Sequence, residues 1–253
     1  MASTNSHEQH RLRRALLNNF FSKRSVMDLE ETIQAKVNML QNRFIGAFRE
    51  KLVLNIPSVF AALTADVITH YSHGKSLGYL DVPDFKNDMM EALDSLFRIF
   101  HINRFLPMLA VMLSRPPFWI IEMLHLPEGL FGEMIEARLR TRKRAADALN
   151  KKGKTTGKPE TIFDALTAVS VPEKERTLSR LVDEASVLFG AGTETTARTL
   201  SVAAFYLAKD KDLRQKLFDE LTQVMPSPAS QPKWAELERL PFLVSPTSCA
   251  IIK

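Results

Sequence analysis

The run from Thr177 to Ala208 constrains this chain more than any other. From Ala185 to Ala208 only Glu194 and Arg198 are charged, which predicts a helix sheathed on nearly all sides by protein. At the usual rise such a helix is about 48 Å long, enough to cross a whole domain. Its centre, Phe189 to Ser201, reads FGAGTETTARTLS. Gly190 and Gly192 each cost about 1 kcal/mol relative to Ala, and Thr193, Thr195, Thr196 and Thr199 are weak helix formers. Some gain must offset that. Glycine lets another body approach the backbone closely, and a Thr hydroxyl can bond the carbonyl four residues back, bending the helix.

The rest of the composition sets bounds. At 253 residues with 45% hydrophobic content, the chain can bury a core of one large domain or part of one. A single cysteine, Cys249, excludes an internal disulfide framework and a Cys-based zinc site, and no metal site is expected elsewhere. The net charge of +5 gives only a mild preference for acidic surfaces. No stretch reaches the roughly 20 apolar residues of a membrane span, so the sequence as written reads as cytoplasmic or peripheral, within the cell.

Within the central run, Ala191-Gly192-Thr193-Glu194-Thr195-Thr196 resembles the oxygen-activation motif in the long central helix of cytochrome P450 monooxygenases. The resemblance implies that Ala191 and Gly192 lie against the haem face, that Thr195 holds the dioxygen-derived ligand and its water, and that Glu194 feeds protons toward it. The plainer reading is a helix crossing made of small residues, with Glu194 paired to Arg198 four residues on.

Near the start, Ser6 or a neighbour can cap a helix through HEQHRLRRALLNNFF to Phe21. His10 and Arg14 are four apart and project from one side of it. The segment resembles the early family helix in which an aromatic or His and an Arg at that spacing bind the haem propionates. A guanidinium forks onto carboxylates and an imidazole nitrogen donates to them. Read without the family, Arg11, Arg13 and Arg14 make a solvated basic helix end.

A further helix is expected from Ser25, with Asp28 three residues on, and Leu29, Ile33, Val37, Leu40, Phe44 and Phe48 as its packing stripe. The next helix ends at Gly74, with His70 and His73 as cap or surface residues. Residues 105–127 are apolar and punctuated by Pro107, Pro116 and Pro117. In the family that region roofs the substrate channel and often touches the membrane. The basic helix from Leu130 to Lys152 has no aromatics interleaved for base stacking, so it reads as a solvated face and not a nucleic-acid site. Leu213, Leu217, Leu221 and Val224 mark one face of a helix stopped at Pro226.

The resemblance covers nearly all of residues 6 to 243, about the middle half of a full-length member, and implies a mainly α-helical fold with little strand. It looks most like the fungal secondary-metabolism branch. The implied activity is oxidoreductase chemistry: insertion of one oxygen atom from dioxygen into a small lipophilic substrate, with haem as cofactor and electrons from an NADPH-dependent reductase. The family's haem loop, Phe-x-x-Gly-x-Arg-x-Cys-x-Gly, does not occur in these 253 residues. Cys249 sits in SPTSCAIIK, without the glycine turn or a basic neighbour, and Glu236 with Arg239 matches the family's Glu-x-x-Arg only in spacing. The expectation is therefore a partial core at 1–243 and a non-family tail at 244–253, truncated, lacking the N-terminal anchor and not turning over. Because Val244-Ser245 can be encoded by a sequence beginning GTAAG, a retained intron would account for the tail. Two alternatives stay open: a non-catalytic helical remnant or interaction protein, and a cationic helical domain for acidic surfaces or nucleic acid.

Overall fold

The computed structural model describes residues 4, 6–87, 90, 141–147, 149, 161–227 and 230–244. The apolar region 105–127, the tail beyond 244 and Cys249 lie outside them. Of the basic helix expected at 130–152, residues 141–147 are described and helical. There is no strand among the described residues, and none of their helices is long and apolar enough to cross a membrane.

The helices in chain order are α1 (His7–Asn18), α2 (Lys23–Met27), α3 (Glu30–Glu50), α4 (Ile56–His73), α5 (Ile162–Thr167), α6 (Leu178–Lys209), α7 (Lys211–Leu221), α8 (Trp234–Leu237) and α9 (Pro241–Val244). Single 3-10 turns occupy Asn19–Phe21 and Glu173–Glu175. The central helix takes the extent expected of it, 32 residues, with Thr177 as its cap. The Thr177 hydroxyl accepts from the Arg180 amide, one of the donors that every helix start leaves unpaired.

Two apolar clusters hold the fold. Leu17 of α1, Ala145, Ile162, Phe163 and Leu166 of α5, and Leu181, Val182, Ala185 and Leu188 of α6 form the first. Leu40 of α3, Val59, Ala62 and Leu63 of α4, and Leu80 and Phe85 form the second. Helix α4 joins them. It runs against α6 more extensively than any other pair of described elements, and its buried face is made of small residues, Ala61, Ala62, Thr64 and Ala65 among them. Small side chains let two helix axes approach closely, and the crossing includes Gly192 of α6, which lies against Ile68 of α4.

An apolar helix with a charge in its middle needs that charge satisfied. Asp66 of α4 is 0% exposed. Its Oδ1 accepts from the Gly78 and Tyr79 amides at 2.8 and 3.1 Å, and its Oδ2 from Leu80 at 3.2 Å. The Lys36 ammonium of α3 lies 3.8 Å away. One carboxylate thus folds the 78–80 turn back onto α4. Gly74 ends α4 at φ 75°, in the left-handed region that glycine enters without penalty.

Four expectations are corrected. Helix α6 is not sheathed all round: its buried residues end at Ala197, and Ala191, Thr195, Thr196, Arg198 and Thr199 are exposed. Alanine and threonine lack charge but gain little from burial, so low charge overstated how much of the helix is covered. The cap near residue 25 belongs to Ser22, whose hydroxyl accepts from the Ser25 amide and starts the short α2, leaving α3 to begin at Glu30. Of the predicted stripe on α3, Leu40 is buried and Phe44 half-buried, but Phe48 is 85% exposed. Helix α4 and the Leu80 to Phe85 segment reach only the Leu40 side. His73 is neither cap nor surface residue: its ring stacks on Phe163 with centroids 4.2 Å apart and planes 21° apart. Burial first, and the Arg144 charge second, push its pKa down to about 4.

Candidate functional site

The middle of α6 divides its residues between two faces. Thr193 and Ala197 are buried, while Ala191, Thr195, Thr196 and Thr199 are exposed. Because 191, 195 and 199 are spaced by four, they form one strip along the helix. The three strip residues are no larger than threonine, and Arg198, three residues past Thr195, is exposed beside them.

Gly192 faces the other way. A Cβ at this position would lie 2.9 Å from Cγ1 and 3.1 Å from Cδ1 of Ile68 on α4. The glycine that the sequence places against a haem is turned toward the helix crossing, and the notch there holds an isoleucine. One helical position along, the Thr64 hydroxyl donates to the Thr193 carbonyl at 3.1 Å. A cavity of about 10 Å³, the size of one water, lies nearby between Ile68, Thr69, His73 and Phe189. Sequence reasoning missed Thr64 and Ile68, although a helix as alanine-rich as α4 signals close packing.

The Thr195 hydroxyl donates to the Ala191 carbonyl at 2.7 Å, and Thr199 to the Thr195 carbonyl at 2.9 Å. With its proton committed to its own helix, the Thr195 oxygen presents lone pairs outward and acts as an acceptor. The helical ladder stays α throughout, with no inserted turn. Glu194, half-buried beside Thr195, forms no ion pair with Arg198 among the described residues, so the plain i,i+4 reading fails at that pair.

On α1, His10 and Arg14 are both exposed. Arg13, between them, is not: its Nε and Nη2 donate to the two carboxylate oxygens of Glu175 at 2.7 and 3.0 Å. Glu175 also accepts from Arg180 Nε at 3.2 Å, and Arg180 pairs with Glu184 one turn along α6. These bonds, led by the fork from Arg13, hold the Glu175 carboxyl below the usual carboxylate range and raise the Arg13 guanidinium. Sequence reasoning did not single out Glu175. Among the described residues no group of His, Cys, Asp and Glu is arranged to hold a metal ion, and no cysteine is present.

Comparison with known proteins supplies the context for this geometry. The family model described as Cytochrome P450 matches residues 1–245. The "Cytochrome P450 monooxygenase aflU" of Aspergillus parasiticus is 39% identical over 251 residues, covering 95% of this chain and 47% of that protein. The "Conidiogenone synthase PchP450" of Penicillium rubens is 40% identical over 243 residues, covering 96% and 48%. The chain therefore spans about half the length of the curated relatives it matches. Among solved structures, "Crystal structure of a Cytochrome P450 (CYP102L1)" superposes with a TM-score of 0.70 at 17% identity, over 95% of this chain and 52% of that one. At that identity the likeness speaks for the fold.

Proposed function

Because the chain belongs to the cytochrome P450 family, we propose that it forms the part of a haem monooxygenase that faces the cofactor and the oxygen, acting on a lipophilic secondary metabolite. The observation that carries this is the exposed strip Ala191, Thr195, Thr199, which lies on the side of α6 away from the buried Thr193 and Ala197.

The residues present fit one side of the group. A strip with nothing larger than threonine accepts a flat ring, and two exposed groups four apart on α1, the His10 imidazole and the Arg14 guanidinium, suit a pair of carboxylates. The described residues include no thiolate for the iron. In this reading Gly192 serves the site indirectly, by letting α4 seat close behind the strip. Haem, when bound, supplies the redox chemistry of inserting one oxygen atom from dioxygen, with electrons from an NADPH-dependent reductase.

The chain's own residues position and move protons. Ala191 gives van der Waals room, and its carbonyl orients the Thr195 hydroxyl. Thr195 would accept a hydrogen bond from a water and hold that water on the open side of α6. Glu194, adjacent and half in contact with solvent, is the proton source for it.

The test is to purify the 253-residue chain, add haemin, reduce it and add carbon monoxide. Haem uptake without a thiolate-type Soret shift is the result expected. Absence of uptake would support a non-catalytic helical remnant or interaction protein, and a thiolate-type shift would show that Cys249 serves as ligand after all.

A further inference from the structure

The first two turns of α1 are almost detached from the protein. From His7 to Arg14 every side chain is exposed except that of Arg13, and the one buried residue of the helix, Leu17, comes a turn later. Apolar packing therefore fixes the far end of α1 and leaves the His10 end free to swing. Among the described residues, what ties that end to a distant part of the chain is the Arg13 guanidinium forked onto the Glu175 carboxylate; Arg13 Nη1 also donates to the nearby Thr4 hydroxyl at 2.8 Å.

That carboxylate is well built for the task. Glu175 is 8% exposed and sits in the 3-10 turn just before α6. Its second cationic partner, Arg180, is on the first turn of α6 itself. Glu175 thus joins two elements: the start of α1, carrying His10 and Arg14, and the head of the helix that carries Ala191 and Thr195. A bidentate Arg–carboxylate pair fixes orientation as well as distance, because both groups are planar and both bonds must be met together. An ammonium in place of Arg13 could not do this.

We infer that Glu175 is a positioning residue, which sets α1 against α6 so that the His10 and Arg14 pair is presented at a fixed place for the carboxylates of the cofactor. The inference rests on the haem-facing reading above for its ligand, but its mechanical half stands without it.

The experiment compares the full 253-residue chain with its Glu175→Gln variant by amide hydrogen exchange without haem, and then by haemin titration. Glu175→Gln should speed exchange at the hydrogen-bonded amides within residues 7–14, those from His10 on, by about ten- to hundredfold, the worth of a charge-assisted fork, and leave α4 unchanged. Haemin affinity should weaken at least about tenfold in parallel. Unchanged exchange in 7–14 would overturn the inference, as would faster exchange with unweakened haemin binding. If the parent chain takes up no haemin while 7–14 still loosens, the cofactor reading fails and the mechanical role of Glu175 stands. Should Glu175→Gln fail to fold, Arg13→Gln, which leaves the Glu175–Arg180 bond in place, must give the same local loosening, and Arg13→Lys must restore part of it. A fully protected α1 in Arg13→Gln would refute the role.

Discussion

Gly192 of α6 lies directly against Ile68 of α4: a methyl group added at 192 would come within 2.9 Å of the isoleucine Cγ1 and 3.3 Å of its Cβ. Isoleucine is stiff at that branch point, so the side chain cannot swing clear. Gly192→Ala should therefore destabilise the protein by about 1–3 kcal/mol, even though alanine is the better helix former. In an Ile68→Ala background the same change should become neutral or stabilising. Urea unfolding of the four proteins in the cycle gives the coupling directly.

Thr195 behaves oppositely. It is exposed, and among the described residues its hydroxyl donates within its own helix, so Thr195→Ala should shift stability by no more than about 0.5 kcal/mol. In a full-length enzyme carrying this segment, product formed per dioxygen consumed should fall by about a hundredfold, and Thr195→Ser should restore most of it. Equal losses of stability and of product would indicate a packing role.

Asp66 fastens the 78–80 turn to α4 through three backbone amides. Removing its carboxylate leaves the Gly78, Tyr79 and Leu80 amides without their acceptor. Asp66→Ala should cost about 3 kcal/mol or more and release the 78–80 turn first. Hydrogen exchange should show early loss of protection at those three amides.

His73 makes stability depend on pH. Its folded pKa of about 4 lies below the ordinary 6.5, so between those values the unfolded chain takes up a proton that the folded chain refuses. The contribution is complete above pH 6.5 and is lost as pH falls toward 4. It amounts to at most about 3 kcal/mol, less to the extent that solvent reaches the ring. His73→Phe keeps a ring against Phe163 and removes the titration. The difference in unfolding free energy between variant and parent should grow steadily over that interval; a constant difference would exclude His73 as the source.

What could be read from the sequence follows from the range of the interactions. The length of α6, the Gly74 stop of α4 and the His10 and Arg14 spacing are all decided within a turn or two of chain. Low charge in α6 correctly marked a helix, but it did not distinguish the buried Thr193 from the exposed Thr195, two residues on. The fork from Arg13 to Glu175 joins residues 162 apart, and the contact between Ile68 and Gly192 joins two helices far apart in the chain. Neither leaves a local pattern. The family resemblance singled out Ala191, Gly192, Glu194 and Thr195; the packing places Gly192 at the helix crossing and leaves Ala191 and Thr195 on the open side.

The central claim is that the Ala191 side of α6 is the surface that meets the haem. Haemin titration of the Ala191→Phe variant tests it most directly, since a phenyl ring there obstructs the strip while pointing away from the core. Affinity should fall at least about tenfold with the thermal midpoint unchanged. An Ala191→Phe protein that binds haemin as tightly as its parent would contradict the account.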